Sequence, residues 1–141
     1  MKTFLKSVLF AIRGMRQFFS RDRNGKIQIV IGVTAIALGF TVSLSSFQWL
    51  LVLFCIGLVI SLEMINSAIE RYCDLITTDF HPGIKIIKDV AAGAVLVASI
   101  MSLVIGLIIF IPALVNFLNS IRWVSVNVSL YRLALRCFYW R

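Results

Sequence analysis

The sequence is poor in acid, in histidine and in paired cysteine. Six Asp and Glu stand against 14 Lys and Arg in 141 residues, and there is one histidine. Cys55, Cys73 and Cys137 show no C-x-x-C spacing. One His and three unpaired Cys make no zinc site and no disulfide framework. The cysteines read as packing residues of a reducing compartment. With a single His, no Ser/His/Asp set can be defended either. There is no G-x-x-x-x-G-K-[ST] loop, no H-R-D and no D-F-G, so the familiar soluble phosphate-handling devices are missing. Lys6, Arg13 and Arg16 interrupt the first 20 residues, so no continuous apolar signal-peptide core is expected there.

What is abundant is apolar. The chain is 60% hydrophobic with a mean hydropathy of +0.98, whereas soluble domains are nearer half apolar. The excess sits in long uncharged runs. These predict an all-α integral membrane protein with one small embedded domain over 1–114 and a basic tail over 115–141. Little chain is left for a separate soluble domain, so any chemistry is expected at the membrane face. The net charge of +8 does not indicate nucleic acid. Seven of the 14 basic residues precede Ile27, three fall between 27 and 114, and four lie in the tail. That layout suits topology signals and anionic lipid contacts.

Residues 3–20 are expected to form an amphipathic surface helix. Phe4, Leu5, Val8, Leu9, Ile12 and Phe19 supply its apolar face, and Lys6, Arg13 and Arg16 its cationic heads. Residues 21–26 read as a charged turn around Asn24-Gly25. Asp22, the only acid in the first 62 residues, either balances Arg21 and Arg23 or serves a neighbouring helix as a metal ligand. Three spans follow: 27–44, then 49–70 continuing to 78, then 90–111. Gly32, Ala35 and Gly39 suit close helix packing, and Trp49 is an interface anchor. Pro82-Gly83 breaks the chain between spans, His81 reads as a loop or capping residue, and Asp89 as the cap of the third span. Ala91, Ala92, Gly93 and Ala94 allow a backbone or ligand to come close. Pro112 is expected to end the span. The basic segments Lys2–Lys26 and Arg71–Lys88 both read as cytoplasmic, which puts the N-terminus and the 63–74 end of the second span there. The tail, with Arg122, Arg132, Arg136, Arg141 and no acid, reads as a surface helix, a partly inserted segment or an extension.

The chemistry concentrates on the second span. At about 100° per residue, Glu63, Asn66, Glu70 and Asp74 share a stripe roughly 80° wide. Ionisable groups at membrane depth are costly and normally mark function. A carboxylate at the hydrocarbon boundary suits a general base. A wetter one suits Mg²⁺, which keeps waters or phosphates in its other positions. Asn66 can orient a hydroxyl and Lys88 can hold a phosphate. The set suggests phosphoryl transfer from a water-soluble donor to a lipid hydroxyl. Other readings remain: the acids pair with bases at a bundle mouth, or the stripe conducts protons or cations in a non-enzymatic assembly. A third is a membrane adaptor working through the basic ends.

The segment Glu63-Met-Ile-Asn66-Ser-Ala-Ile-Glu70-x-x-x-Asp74, with Asp79-Phe-His81 and Lys88-Asp89-Val-Ala-Ala-Gly-Ala-Val-Leu, resembles the signature of the prokaryotic diacylglycerol kinase family, which includes undecaprenol kinases. Arg13-Gly14-x-Arg16 before Asp22 fits its weaker N-terminal pattern. The resemblance covers residues 1 to about 114. It implies a bacterial cytoplasmic-membrane lipid kinase that uses ATP and Mg²⁺. It further implies a homotrimer whose sites are shared between protomers at the cytoplasmic face. By position, it implies Glu63 as base and Glu70 and Asp22 as metal ligands, Asp22 standing where the family usually has Glu. Asp22, Glu70, Asp79, His81, Lys88 and Asp89 fall to the nucleotide. Arg16, Glu63, Asn66 and Ala92 fall to the lipid, diacylglycerol or undecaprenol, with a lean to the latter. Thr3 and Phe10 depart from one branch's Arg and Tyr, and Asp74 has no assigned task.

Overall fold

In the computed structural model, four helices follow one another: α1 (Lys2–Arg21), α2 (Arg23–Thr41), α3 (Ser46–Ile76) and α4 (Pro82–Tyr139). The structure describes the backbone of residues 2–77 and 79–139 and the side chains of 4–77 and 79–123. Thr78, the side chain of Thr3 and those of Arg132, Arg136, Cys137 and Arg141 lie outside the described residues. Three helices are long and apolar enough to cross a membrane: α2, α3 and the Pro82–Trp123 part of α4. The all-helical, three-span expectation therefore holds.

The 21–26 turn is not there. Asp22 is an extended N-cap whose Oδ1 accepts from the Asn24 amide at 3.0 Å and the Gly25 amide at 3.2 Å. Two of α2's orphan N–H groups are thereby satisfied. A capping aspartate one residue before Arg23 starts the helix, and Asn24-Gly25 becomes its first turn. Gly25 is also where α1 crosses α2. Phe18 is buried there, and a Cβ on Gly25 would lie 2.6 Å from two of its ring atoms.

α2 ends at Thr41, and Ser43 takes a left-handed φ of 54°. The Leu44 amide donates back to the Gly39 carbonyl at 3.3 Å, the long bond of a Schellman closure. Ser45 then opens α3 with a capping box: its Oγ accepts from the Gln48 amide, and Gln48 Oε1 accepts from the Ser45 amide. The span thus begins three residues before Trp49, at a serine with glutamine three residues on. Trp49 packs on α2, its ring 4.8 Å from Phe40.

Leu44, Val52 and Ile109 form the buried apolar core, backed by Trp49, Ile56 and Phe110. This core closes the end of the bundle at the α2–α3 turn. Most other large apolar side chains are exposed, Phe40, Phe54, Ile108 and Leu118 among them. Lipid or other protein would cover such a surface in a membrane.

α4 corrects two expectations. It starts at Pro82, not near 90, because proline lacks the N–H that a first helical residue leaves unbonded anyway. Asp89 is therefore inside the helix and caps nothing. Nor does Pro112 stop it; the helix runs on to Tyr139. One proline removes one intrahelical bond, whereas a break in an apolar stretch would orphan several backbone groups.

Candidate active site

Glu63, Asn66 and Ser67 lie on the face of α3 that is already turned inward, whereas Glu70 is half-buried and Asp74 exposed. Val52, Cys55, Val59, Glu63, Asn66, Ser67 and Cys73 are its buried residues. The helical repeat that buries the valines therefore buries the acid as well. About 20 residues cross the hydrocarbon. Measured from Ser46, that length brings Glu63 close to the far boundary and leaves Glu70 and Asp74 beyond it.

Glu63 is 3% exposed and Asn66 5%. Glu63 Oε1 and Asn66 Oδ1 are buried with no hydrogen-bond partner. Burying such groups without partners is costly. Both atoms are acceptors, so what completes them must donate: a hydroxyl or a water. Asn66 is not free to turn its amide there, because its Nδ2 donates to Glu70 Oε1 at 2.9 Å. The acids whose charges act on Glu63 are Asp22 and Glu70, and Asn24 is a further polar neighbour.

Asp22 reaches the site from the α1–α2 corner. Its Oδ2 accepts the Ser67 hydroxyl, while Oδ1 stays with the α2 amides. Burial alone would raise the Asp22 carboxyl. The hydrogen bonds from Ser67, Gly25 and Asn24 and the Arg71 charge outweigh that and hold it below the usual aspartate value. At the outer end, Lys88 Nζ on α4 pairs with Asp74 Oδ1 on α3 at 2.5 Å, and Glu70 also acts on Lys88. Asp74 thus has a partner that spacing along one helix did not reveal.

Asp79 and His81 line an open depression of about 450 Å³ with Ile76, Thr77, Phe80 and Ile84. His81 Nδ1 accepts from the Gly83 amide at 3.2 Å, so it caps α4. Arg16 is exposed on α1, and Asp89 and Ala92 are exposed on α4. Asp22, Glu63, Asn66 and Glu70 are thus linked in one polar cluster, and Asp74 and Lys88 in an adjoining pair. Ser67 and Asn24 were missed. Ser67 lies about 40° from Glu63 one turn on, just beside the stripe, so its position was a usable signal. Asn24 was hidden by the turn reading.

Among the described residues, no three His, Cys, Asp or Glu side chains group as a complete metal cage. Mg²⁺ takes one or two carboxylates and leaves its other positions to water and phosphate. Glu70 and Asp22, each with unused oxygen lone pairs, fit such a partial donor set.

The family model for prokaryotic diacylglycerol kinase matches residues 9–110. The chain belongs to the prokaryotic diacylglycerol kinase family. It is 41% identical over 111 residues to an undecaprenol kinase of Bacillus subtilis, covering 79% of this chain and 90% of that one. It is 32% identical over 115 residues to a diacylglycerol kinase of Synechocystis, 81% of this chain and 66% of that one. A Helicobacter pylori diacylglycerol kinase is 29% identical over 99 residues, 70% and 77% of the two chains. As a member of this kinase family the chain is an enzyme, a phosphotransferase with an alcohol acceptor. Membership weighs against the proton- or cation-conducting reading.

Proposed function

We propose that this enzyme transfers the γ-phosphate of ATP to the terminal hydroxyl of a membrane lipid, with undecaprenol favoured over diacylglycerol. The observation that carries the reading is the pair of buried, unpartnered acceptors, Glu63 Oε1 and Asn66 Oδ1, beside Glu70. A lipid alcohol entering from the bilayer supplies the missing donor. Glu63 accepts the hydroxyl proton as the oxygen bonds to the γ-phosphorus and the bond to ADP breaks. Asn66 holds the hydroxyl, and Arg16 and Ala92 flank the lipid. Lys88, Asp79, His81 and Asp89 bind the nucleotide, Lys88 being pre-set by Asp74. Glu70 and Asp22 hold Mg²⁺, which when bound neutralises charge on the ATP phosphates. The higher identity to an undecaprenol kinase supports the choice of lipid.

In this reading the chain is a homotrimer in the bacterial cytoplasmic membrane. α1 lies on the cytoplasmic face, and neighbouring protomers complete each site. The basic residues of α1, with Arg71 near the end of α3 and Lys85 and Lys88 in the first turns of α4, support that orientation. The test is phosphate transfer from labelled ATP in mixed micelles, with undecaprenol and diacylglycerol at matched mole fraction and with Mg²⁺ or a chelator. Mg²⁺-dependent product with undecaprenol in excess is expected. No product with either lipid, from folded protein, refutes the reading.

A further inference from the structure

We infer that Ser67 is a positioning residue whose hydroxyl aims the Asp22 carboxylate at the divalent cation. The inference rests on the reading of Asp22 as a metal ligand. Ser67 is 4% exposed in the middle of α3. A helical hydroxyl ordinarily donates to the carbonyl one turn back. Thr34 and Thr41 do this, to the Val30 and Ala37 carbonyls at 2.7 and 3.0 Å. Ser67 instead donates its hydrogen to Asp22 Oδ2, 45 residues away on another element.

The oxygen accounting gives that contact a consequence. A carboxylate offers about four lone-pair sites. The Asn24 and Gly25 amides take both sites on Oδ1. Ser67 takes one on Oδ2. One site remains, on Oδ2 beside the hydroxyl of Ser67, and that is the site Asp22 would offer a cation. Asn66 ties Glu70 in the same way, leaving that carboxylate's other lone pairs free. Two consecutive residues of α3 thus orient two carboxylates that stand on different elements. Each carboxylate would thus be oriented before a cation binds, so less side-chain freedom would be lost on binding.

A merely structural bond between α3 and the α1–α2 corner would hold the fold and leave cation affinity alone. Mn²⁺ separates the two roles, titrated by electron paramagnetic resonance into the full-length protein with a non-hydrolysable ATP analogue. Ser67→Ala should weaken Mn²⁺ binding about 10-fold or more, the range for loss of a partner behind a metal ligand. Ser67→Thr, which keeps the hydroxyl, should restore most of it. Asp22→Asn should weaken binding too, and adding Ser67→Ala to it should cost little more. If Ser67→Ala does not fold, Ser67→Cys carries the test, since a thiol is a weak donor of similar size. Wild-type Mn²⁺ affinity in the Ala or Cys variant overturns the inference. So does an unchanged affinity in Asp22→Asn, or a Ser67 effect that persists in full in that background. Failure of the wild type to phosphorylate either lipid would instead overturn the proposed function, and the Mn²⁺ comparison would still decide this point.

Discussion

Replacing Gly25 by alanine tests how α1 is seated on α2, and so how Asp22 is delivered to the site. On an open helix the change would stabilise by up to about 1 kcal/mol. Here the new Cβ would lie 2.6 Å from Phe18 Cε1 and Cζ and 3.2 Å from Cε2. Carbon atoms prefer roughly 3.5–4.0 Å, so about 1 Å of overlap must be relieved at two atoms. The ring has little room to withdraw: Phe18 is 4% exposed and meets the Phe19 ring edge-on at 5.0 Å. Overpacking of this kind costs about 1–3 kcal/mol. Any shift also strains the 3.2 Å bond from the Gly25 amide to Asp22. The net expectation is a loss of about 1–2 kcal/mol, or a fall in Tm of roughly 2–8 °C on the scale for domains of this size. Thermal unfolding in detergent micelles measures it. The double variant with Phe18→Leu should lose less than the sum of the single changes, by about 0.5 kcal/mol or more. A Gly25→Ala protein that melts at or above the wild type refutes the reasoning, as do strictly additive effects.

Two further outcomes follow from the same geometry. The Asp22 carboxyl is held below its usual value by Ser67, Gly25 and Asn24 against the opposing effect of burial. A depressed folded-state value stabilises above the unfolded value, about 4, and that stability is lost as pH falls through the folded one. The Tm advantage of wild type over Asp22→Asn should therefore be full near pH 6 and shrink below about pH 4; an advantage independent of pH contradicts it. Asp74→Asn removes the partner of Lys88 at an exposed pair. It should leave Tm nearly unchanged, since exposed ion pairs add little stability, but raise KM for ATP several-fold. An unchanged KM would show that Asp74 does not set Lys88.

The stripe on α3 was legible because one helical period governs both its buried valines and its acids, and no turn or proline interrupts Trp49 to Asp74. The three spans were legible for a similar reason: uncharged length alone decides them. Boundaries were less so. Asn24-Gly25 reads as a turn in isolation, but the Asp22 side chain bonds both amides and starts a helix there. Pro112 reads as a stop, but it deletes only one bond in a helix with nothing else to satisfy its backbone. Pairings between elements were the least legible. Ser67 with Asp22 and Lys88 with Asp74 join residues 45 and 14 apart, and no local pattern encodes which hydroxyl or amine meets which acid. Family likeness singled out Asp22 and Lys88 without saying what holds them.

The central claim is that Glu63, buried with an unpartnered oxygen, removes the proton from a lipid alcohol. Its most direct test is single-turnover phosphate transfer by Glu63→Gln with Mg²⁺, ATP and lipid saturating. Gln keeps the size and loses the base, and general-base catalysis contributes roughly 10²–10⁴-fold. A fall of at least about 10²-fold in rate, with ATP binding retained, is the predicted result. A wild-type rate from Glu63→Gln would contradict the account.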